Sequence, residues 1–277
     1  MRVAAVQLNS NADKARNLEM AEGLVREAAG SGAELIALPE KWNLLAPGPQ
    51  QLAGAEPLDG PTLEATRGWA RELGVAILAG SIPERSEDPD HGFNTSVLIS
   101  PEGEDLGVYR KIHLFDVDVE GVAYRESDHE HPGSDIVVAG PVGDDGMRVG
   151  MSVCYDVRFP ELYRAMALAG AELFTVPAAF TVPTGRAHWE VMNRARAIEN
   201  QAFVLAAGQV GQAPPHYDSW GHSMVVAPSG EVLAMADGDE IQVVAADLDP
   251  AERDRVRAAM PLLEHRRPEA YAERAAR

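Results

Sequence analysis

The chain has 277 residues, of which 45% are hydrophobic and 24% are charged, and its formal net charge is −19. A chain of this length can bury a large core, and this composition excludes wholesale disorder. The negative charge argues against nucleic acid and anionic membrane surfaces as partners, because both attract basic proteins.

Short apolar runs of strand length recur along the chain, and several contain β-branched residues. The predicted strands are residues 3–8, 35–38, 75–78, 97–99, 106–109, 148–153, 173–176, 203–207, 224–226 and 241–246. The predicted helices are residues 11–29, 61–73, 160–168, 185–200 and 250–259. This alternation predicts an α/β layered fold. Further strands over 219–226 and 232–235 flank Pro228-Ser229-Gly230, which predicts a hairpin and therefore a mixed sheet.

No repeat or low-complexity linker divides the chain, so we predict a single domain over residues 1–277. The segment 251–277 contains the apolar cluster Pro261-Leu262-Leu263, and we expect this segment to pack on the domain or on a second subunit. The one cysteine, Cys154, has no partner for an intrachain disulfide. Together with the lack of any apolar run near the ~18 residues of a membrane span, this predicts a cytoplasmic protein.

Three residues that can perform chemistry each follow a predicted strand. Cys154 lies between the strand 148–153 and the helix that begins at Pro160, a position where a thiol can face a ligand. A buried core thiol is the alternative for a cysteine considered alone. Glu40 and Lys111 follow the strands 35–38 and 106–109, and ligand sites of α/β sheets gather at such strand ends.

A nucleophilic cysteine needs a base that takes its proton and a cation that stabilises the oxyanion. Glu40 and Lys111 can supply these two functions. Lysine is rare here, since only Lys14, Lys41 and Lys111 occur among 24 basic residues. A Cys–His pair stays open, because the chain has eight histidines, and His113 is the first candidate for that base.

Three segments resemble the catalytic motifs of the nitrilase superfamily of carbon–nitrogen hydrolases, namely Leu38-Pro39-Glu40, residues 109–114 and residues 154–161. They occur in the order of the family, and the resemblance runs from Val3 to Pro268. Within the superfamily the chain is most similar to the Nit branch. Tyr155-Asp156 follows the cysteine where true nitrilases usually have Trp-Glu, and residues 265–271 resemble the deaminated glutathione amidases.

The resemblance implies a four-layer α-β-β-α sandwich with mixed sheets, and a homodimer or larger assembly. It implies amidase activity through a cysteine thioester, with no metal or organic cofactor. The catalytic residues that it implies are Glu40, Lys111, Cys154 and the second glutamate, Glu126. The backbone N–H of Tyr155 would donate a hydrogen bond to the oxyanion. The implied substrate is a small amide, deaminated glutathione first. The alternatives are alpha-ketoglutaramate, another aliphatic amide or an N-carbamoyl compound.

Substrate contacts are predicted at Arg158, Thr181 and His188. Arg158 follows Cys154 by four residues and could bind a substrate carboxylate, although an ion pair with Asp156, Glu161 or Glu190 is an equal alternative. Thr181 and His188 follow the strand 173–176 and are expected at the same cavity mouth.

Two other classes of protein remain as alternatives. Asp128-His129-Glu130-His131 could indicate a metallohydrolase, but adjacent residues point in different directions and no HExxH motif is present. The other alternative is an inactive binding scaffold on the same fold.

Overall fold

The structure is a computed structural model, in which residues 1–119, 121–213 and 217–271 are described. The strands in chain order are β1 Arg2–Gln7, β2 Leu35–Ala37, β3 Ala76–Leu78, β4 Ile82–Glu84, β5 Phe93–Ile99, β6 Asp105–Arg110, β7 Asp116–Val119, β8 Val122–Arg125, β9 Val138–Val142, β10 Met147–Met151, β11 Leu173–Thr175, β12 Phe203–Ala206, β13 Val210–Ala213, β14 Tyr217–Trp220, β15 Met224–Val226, β16 Val232–Met235 and β17 Gln242–Asp247. The helices are α1 Lys14–Gly30, α2 Gly48–Ala53, α3 Pro61–Leu73, α4 Pro160–Leu168, α5 Val182–Asn200, α6 Pro250–Ala259 and α7 Pro268–Tyr271.

Two mixed sheets form the centre of the fold. The first has the strand order β17-β1-β2-β3-β5-β4, with β6 also paired to β5. The second has the order β16-β15-β12-β11-β10-β9. In the first sheet β1, β2 and β3 are parallel, and in the second β10, β11 and β12 are parallel, while the outer pairings are antiparallel. The predicted mixed sheet is therefore confirmed.

Side chains of the first sheet alternate between two cores, because successive residues of a strand face opposite sides. In β1, Val3 and Ala5 belong to the core shared with the second sheet, whereas Ala4 and Val6 belong to the core under α1 and α3. Both faces are thus buried, which explains why the strands read as continuous apolar runs. On the outer face of the second sheet, α4 and α5 bury residues such as Tyr163 and Trp189. The layers follow the predicted order α-β-β-α.

Most boundaries of the five predicted helices agree with the structure, whereas the short helices α2 and α7 were not predicted. The helices α3, α4 and α6 have the predicted ends. The prediction was three residues too early for α1, because Asp13 caps this helix and accepts a hydrogen bond from the Arg16 N–H at 3.1 Å. It was three residues too late for α5, which begins at Val182 and tolerates Pro183 in its first turn.

Several strands differ from the prediction, and β4, β9 and β13 were not predicted at all. The predicted strand 219–226 is divided into β14 and β15, because Gly221 and His222 both adopt positive φ angles between them. The hairpin of β15 and β16 is present as predicted. The short pair β7–β8 was not predicted, and its residues are exposed or half-exposed, unlike the buried strands of the two sheets.

The C-terminal segment contacts the body of the protein through Gln201. Its side chain donates to the carbonyl of Met260 at 2.6 Å, and its carbonyl accepts from Arg257 Nε at 3.1 Å. Residues 272–277 lie outside the described residues, and the assignment of residues 1–277 to one domain stays a prediction. Among the described helices, none has both the length and the apolar character of a membrane span.

Gly80 generates a testable prediction about the support of the first catalytic motif. Its φ is +48°, and a Cβ at this position would lie 2.0 Å from the carbonyl oxygen of Pro39, the residue before Glu40. We expect Gly80→Ala to lower the free energy of unfolding by more than about 2 kcal/mol, through backbone strain and this clash. Urea denaturation measures the change. The control is Gly23→Ala in α1, where a Cβ meets nothing within 4 Å and should stabilise by about 0.5–1 kcal/mol. Equal stabilities of the two variants would contradict the prediction.

Candidate active site

The three predicted catalytic residues meet at one edge of the two sheets. Glu40 follows β2, Lys111 follows β6, and Cys154 follows β10. The strand β6 has the same direction as β2 because two antiparallel pairings, β3 with β5 and β5 with β6, reverse the chain twice. The ends of strands from both sheets therefore face one another across the site, as expected for ligand sites of α/β folds.

Three hydrogen bonds fix the orientation of Glu40, which is only 3% exposed. Its Oε1 accepts from Lys111 Nζ at 3.0 Å and from Asn94 Nδ2 at 2.9 Å. Its Oε2 accepts from the backbone N–H of Ala179 at 2.9 Å. Since Ala179 follows β11 of the second sheet, the carboxylate also joins the two sheets at this edge.

Cys154 occupies a sharp turn at the start of a 3-10 helix, Cys154–Arg158. Its φ is +51°, an uncommon value for a residue with a side chain, and its N–H donates to the carbonyl of Pro177 at 2.8 Å. Such strain at a strand-to-helix turn is common at functional sites. Burial and the neighbouring carboxylate of Glu40 raise the pKa of the thiol well above its usual range. Cys154 is therefore a neutral thiol that needs a base during attack.

Lys111 is a buried cation between two carboxylates. It is 1% exposed, and Nζ donates to Glu126 Oε2 at 2.7 Å in addition to Glu40. Burial disfavours its charged form, but Glu126 and Glu40 outweigh that cost and hold the pKa of Lys111 well above its ordinary value. The sequence-predicted Glu126 therefore lies beside Lys111, and Lys111 stays charged at any working pH.

A second buried lysine, which sequence reasoning did not assign to the site, continues this charge network. Lys41 Nζ lies 3.3 Å from Glu126 Oε1 and donates to Glu130 Oε1 at 2.6 Å. Like Cys154, Lys41 has a φ of +51°. Burial opposes the ionisation of Glu126, but Lys111 and Lys41 lower its pKa to about 2. The scarcity of lysine was the signal that could have singled out Lys41.

Asp156 also has a structural role that the sequence did not predict. Its Oδ2 accepts from the Tyr109 hydroxyl at 2.6 Å and from the Val153 N–H at 2.9 Å. Its Oδ1 accepts from the N–H of His113 and lies 2.7 Å from His113 Nδ1. This fully buried carboxylate ties the lysine segment to the cysteine turn. It also binds His113, whose ring stacks on that of Phe159 with 3.6 Å between the ring centroids. His113 does not line the cavity, so it is not placed to act as the base of a Cys–His pair.

The four predicted catalytic residues line a cavity of about 520 Å³. Its lining includes Glu40, Lys111, Glu126 and Cys154 together with Tyr155, Arg158 and Thr181. The aromatic rings of Phe115, Tyr124 and Phe180 and residues of β8 complete the wall. The cavity is large enough for a small organic substrate and combines apolar walls with a few charged groups.

The family model described as carbon-nitrogen hydrolase matches residues 2–258 of the chain. The chain belongs to the carbon–nitrogen hydrolase family. This match confirms the family and the type of enzyme that the three motifs predicted.

Relatives and solved structures agree with this assignment. This carbon–nitrogen hydrolase is 42% identical over 275 residues to the deaminated glutathione amidase of Homo sapiens. The matched region covers 97% of this chain and 83% of the human protein. The chain is 39% identical over 272 residues to the omega-amidase of Danio rerio, with coverages of 98% and 96%. It is also similar to a mutant of the amidase from Nesterenkonia sp. AN1 in which acrylamide has added to the active-site cysteine. That structure has a TM-score of 0.82, 29% identity and 98% coverage of both chains.

Arg158 of this carbon–nitrogen hydrolase lines the cavity next to the cysteine turn. Its guanidinium lies over the rings of Phe180 and Tyr155, at 5.1 and 5.6 Å, and 3.1 Å from His188 Nδ1. No carboxylate among the described residues lies within 4.0 Å of it. Of the three acids proposed as partners, Asp156 binds other groups, Glu190 pairs with Arg194, and Glu161 forms no ion pair with Arg158.

The other predicted contacts have different positions. Thr181 is buried in the cavity wall, and its hydroxyl lies 2.9 Å from that of Thr184. His188 is exposed and does not line the cavity, because it lies nearly two turns into α5 and contacts Arg158 from outside. The four residues of the metallohydrolase alternative are also separated. Glu130 binds Lys41, His129 lines the cavity, and His131 contacts Asp88 instead.

Lys41 provides a test of the charge network. We expect Lys41→Met to lower kcat at least tenfold and to shift the acid limb of the kcat/KM profile to higher pH. The reason is that Lys41 lowers the pKa of Glu126, so its loss raises that pKa. The buried carboxylates would lose a shared cation, which should also cost about 3–5 kcal/mol of stability.

The matched control is Lys14→Met, which removes a lysine paired with Glu56 outside the cavity. It should lower Tm without shifting the pH profile of activity. Unchanged kcat and an unchanged acid limb in Lys41→Met would show that Lys41 has no influence on catalysis.

Proposed function

We propose that this carbon–nitrogen hydrolase is an amidase that converts a small carboxylate-bearing amide to acid and ammonia, with deaminated glutathione as its preferred substrate. The observation that carries the proposal is the pairing, in one cavity, of the Glu40–Lys111–Cys154 cluster with Arg158, a cation that has no carboxylate partner among the described residues. The deaminated glutathione amidase among its relatives supports this substrate. Alpha-ketoglutaramate is the second candidate, supported by the omega-amidase.

In the first half of the proposed reaction, Glu40 takes the proton of the Cys154 thiol as the sulfur attacks the amide carbonyl. The carboxylate is held beside the turn of Cys154 by three donors, so it needs no reorientation. Because the thiol is neutral at rest, proton transfer and attack must occur together or in close succession. The product of this step is a tetrahedral oxyanion.

The oxyanion would be stabilised by Lys111 and by the backbone N–H of Tyr155. Lys111 keeps its charge because it lies between two carboxylates. The N–H of Tyr155 lies in the first turn of the 3-10 helix, where no carbonyl of a preceding turn is available to accept its hydrogen bond, so it can donate to the oxyanion. Glu126 accepts hydrogen bonds from the Phe115 N–H, at 2.8 Å, and from Lys111, so it would position the lysine next to the substrate amide.

In the second half, Glu40 gives its proton to the departing nitrogen, and ammonia leaves behind a thioester on Cys154. Water then attacks the thioester while Glu40 takes a proton from it, and Glu40 returns that proton to the departing sulfur as the acid product leaves. One carboxylate therefore transfers protons in both halves of the cycle. No other ionisable group is required for the proton balance.

The proposed role of Glu40 makes opposite predictions for activity and for thiol acidity. We expect Glu40→Gln to lower kcat by about 10²–10⁴, since proton transfer is lost. The same change should lower the pKa of Cys154, because the negative charge of Glu40 is one cause of its elevation. The measurements are ammonia release and the pH dependence of alkylation by iodoacetamide.

Glu161→Gln, at an exposed acid outside the cavity lining, is the matched control and should leave both quantities unchanged. Wild-type turnover in Glu40→Gln would rule out the proposed base. A higher thiol pKa in that variant would rule out the electrostatic coupling.

Arg158 carries the prediction about substrate class. We expect Arg158→Met to weaken kcat/KM for deaminated glutathione by about tenfold or more, because a charge-assisted hydrogen bond contributes roughly 1.5–3 kcal/mol. A neutral aliphatic amide such as propionamide should be hydrolysed as before. Equal losses for both substrates would assign Arg158 a structural role.

We also propose that the protein acts in the cytoplasm as a homodimer or larger homo-oligomer, on a small molecule and not on nucleic acid. The single cysteine supports the cytoplasmic location, and the net charge of −19 argues against nucleic acid as a partner. Light scattering of the purified protein tests the assembly. A monomer at micromolar concentration would contradict it.

A further inference from the structure

A cluster of three potential metal ligands lies outside the cavity lining. Asp88 Oδ2 is 3.0 Å from His91 Nδ1 and 2.9 Å from His131 Nε2, so two imidazoles converge on one carboxylate oxygen. The three ligand atoms all lie within 4.8 Å of one another. Each of these side chains is partly exposed, which leaves room for water on the open side.

The orientation of each ligand is fixed by neighbouring groups. The Asp88 carboxylate accepts the N–H of Asp90 at 2.9 Å through Oδ1, which leaves Oδ2 directed at the imidazoles. The rings of His91 and His131 stack at 4.7 Å, and Phe93 packs against His131 at 5.7 Å. Outer contacts of this kind orient the ligands of known metal sites.

The backbone also holds the two histidines together. The Gly92 N–H donates to the carbonyl of His129 at 2.9 Å, and the His131 N–H donates to the carbonyl of Gly92 at 2.8 Å. These reciprocal bonds join the loop of His91 to the segment of His131. Two parts of the chain that are 40 residues apart in sequence thereby present their side chains to one point.

We propose that Asp88, His91 and His131 bind one divalent transition-metal ion of the Zn²⁺ type. Two imidazoles and a carboxylate are the ligands that borderline metals prefer, and a hard ion such as Mg²⁺ would favour an all-oxygen site. The ring nitrogens that now face Asp88 would bind the ion through their lone pairs, and each ring's proton would lie on its other nitrogen. Water would complete the coordination.

The place of this site in the fold gives the ion a structural function. The segment from Glu126 to His131 carries Glu126 and Glu130 into the cavity, where they bind Lys111 and Lys41. A bound ion would attach the end of this segment to the loop of Asp88 and His91, and so stabilise one wall of the active site. It would have no part in bond cleavage, which the proposed mechanism assigns to Glu40, Lys111 and Cys154.

The test is calorimetric titration of the full chain with ZnCl₂ after treatment with a chelator. The protein carries Cys154→Ala, so that the thiol cannot compete for zinc. We expect saturable binding of one ion per chain and a rise in Tm. His91→Gln and Asp88→Asn should each weaken the affinity by about tenfold or more.

Two matched controls locate the site. His265→Gln removes an exposed histidine elsewhere on the chain, and His129→Gln removes the cavity histidine next to the cluster. Both should retain the parent affinity. The proposal is overturned if the parent shows no saturable binding at millimolar zinc, if His91→Gln and Asp88→Asn bind as the parent does, or if His129→Gln alone abolishes binding.

A variant that fails to fold would be recognised by its circular dichroism. If one of the two ligand variants, Asp88→Asn or His91→Gln, fails to fold, the zinc affinity of the other variant is compared with that of the parent, since each variant removes one ligand. Metal-dependent stability is the decisive quantity, because chelation of the zinc-loaded Cys154→Ala protein should lower Tm. Chelation of the wild-type protein, which retains the thiol, should leave amidase activity measurable. An unchanged Tm after chelation of zinc-loaded protein also contradicts the proposal.

Discussion

The active site depends on one interaction, the burial of the Lys111 ammonium between Glu40 and Glu126. An ammonium removed from water is stable only when carboxylates compensate it, and each of those carboxylates then needs donors of its own. Asn94 and the Ala179 N–H supply them for Glu40, and the Phe115 N–H supplies one for Glu126. The carboxylates that compensate the charge of Lys111, and the donors that those carboxylates need, therefore bring together residues from both sheets.

The network contains three carboxyl groups for two ammonium groups, and this imbalance is distributed unevenly. Glu126, with both lysines beside it, has a pKa of about 2. Glu130 has only Lys41, and burial together with the charge of Glu126 raises its pKa. Its Oε2 has no partner among the described residues. The acid at the end of the network is thus the one that is least stabilised as an anion.

Contacts between the two sheets hold the residues of this network in place. Asp156 binds Tyr109 of the first sheet and Val153 near the end of the second, so the lysine strand and the cysteine turn share a single buried carboxylate. Cys154 and Lys41 both adopt strained backbone conformations, which persist only where surrounding contacts impose them. Rigid strand ends on either side impose them here.

The sequence by itself determined the layered fold and the ends of three helices, and it predicted Glu40, Lys111 and Cys154 as catalytic residues, because apolar periodicity and short motifs are local properties. It also predicted Glu126, which the structure places beside Lys111. Only the tertiary structure decided which charges are neighbours. The pairing of Lys41 with Glu130, the binding of His113 by Asp156 and the convergence of Asp88 with His131 join segments 40 or more residues apart. Local patterns cannot encode such contacts, since the distance between two strand ends depends on how the sheets pack.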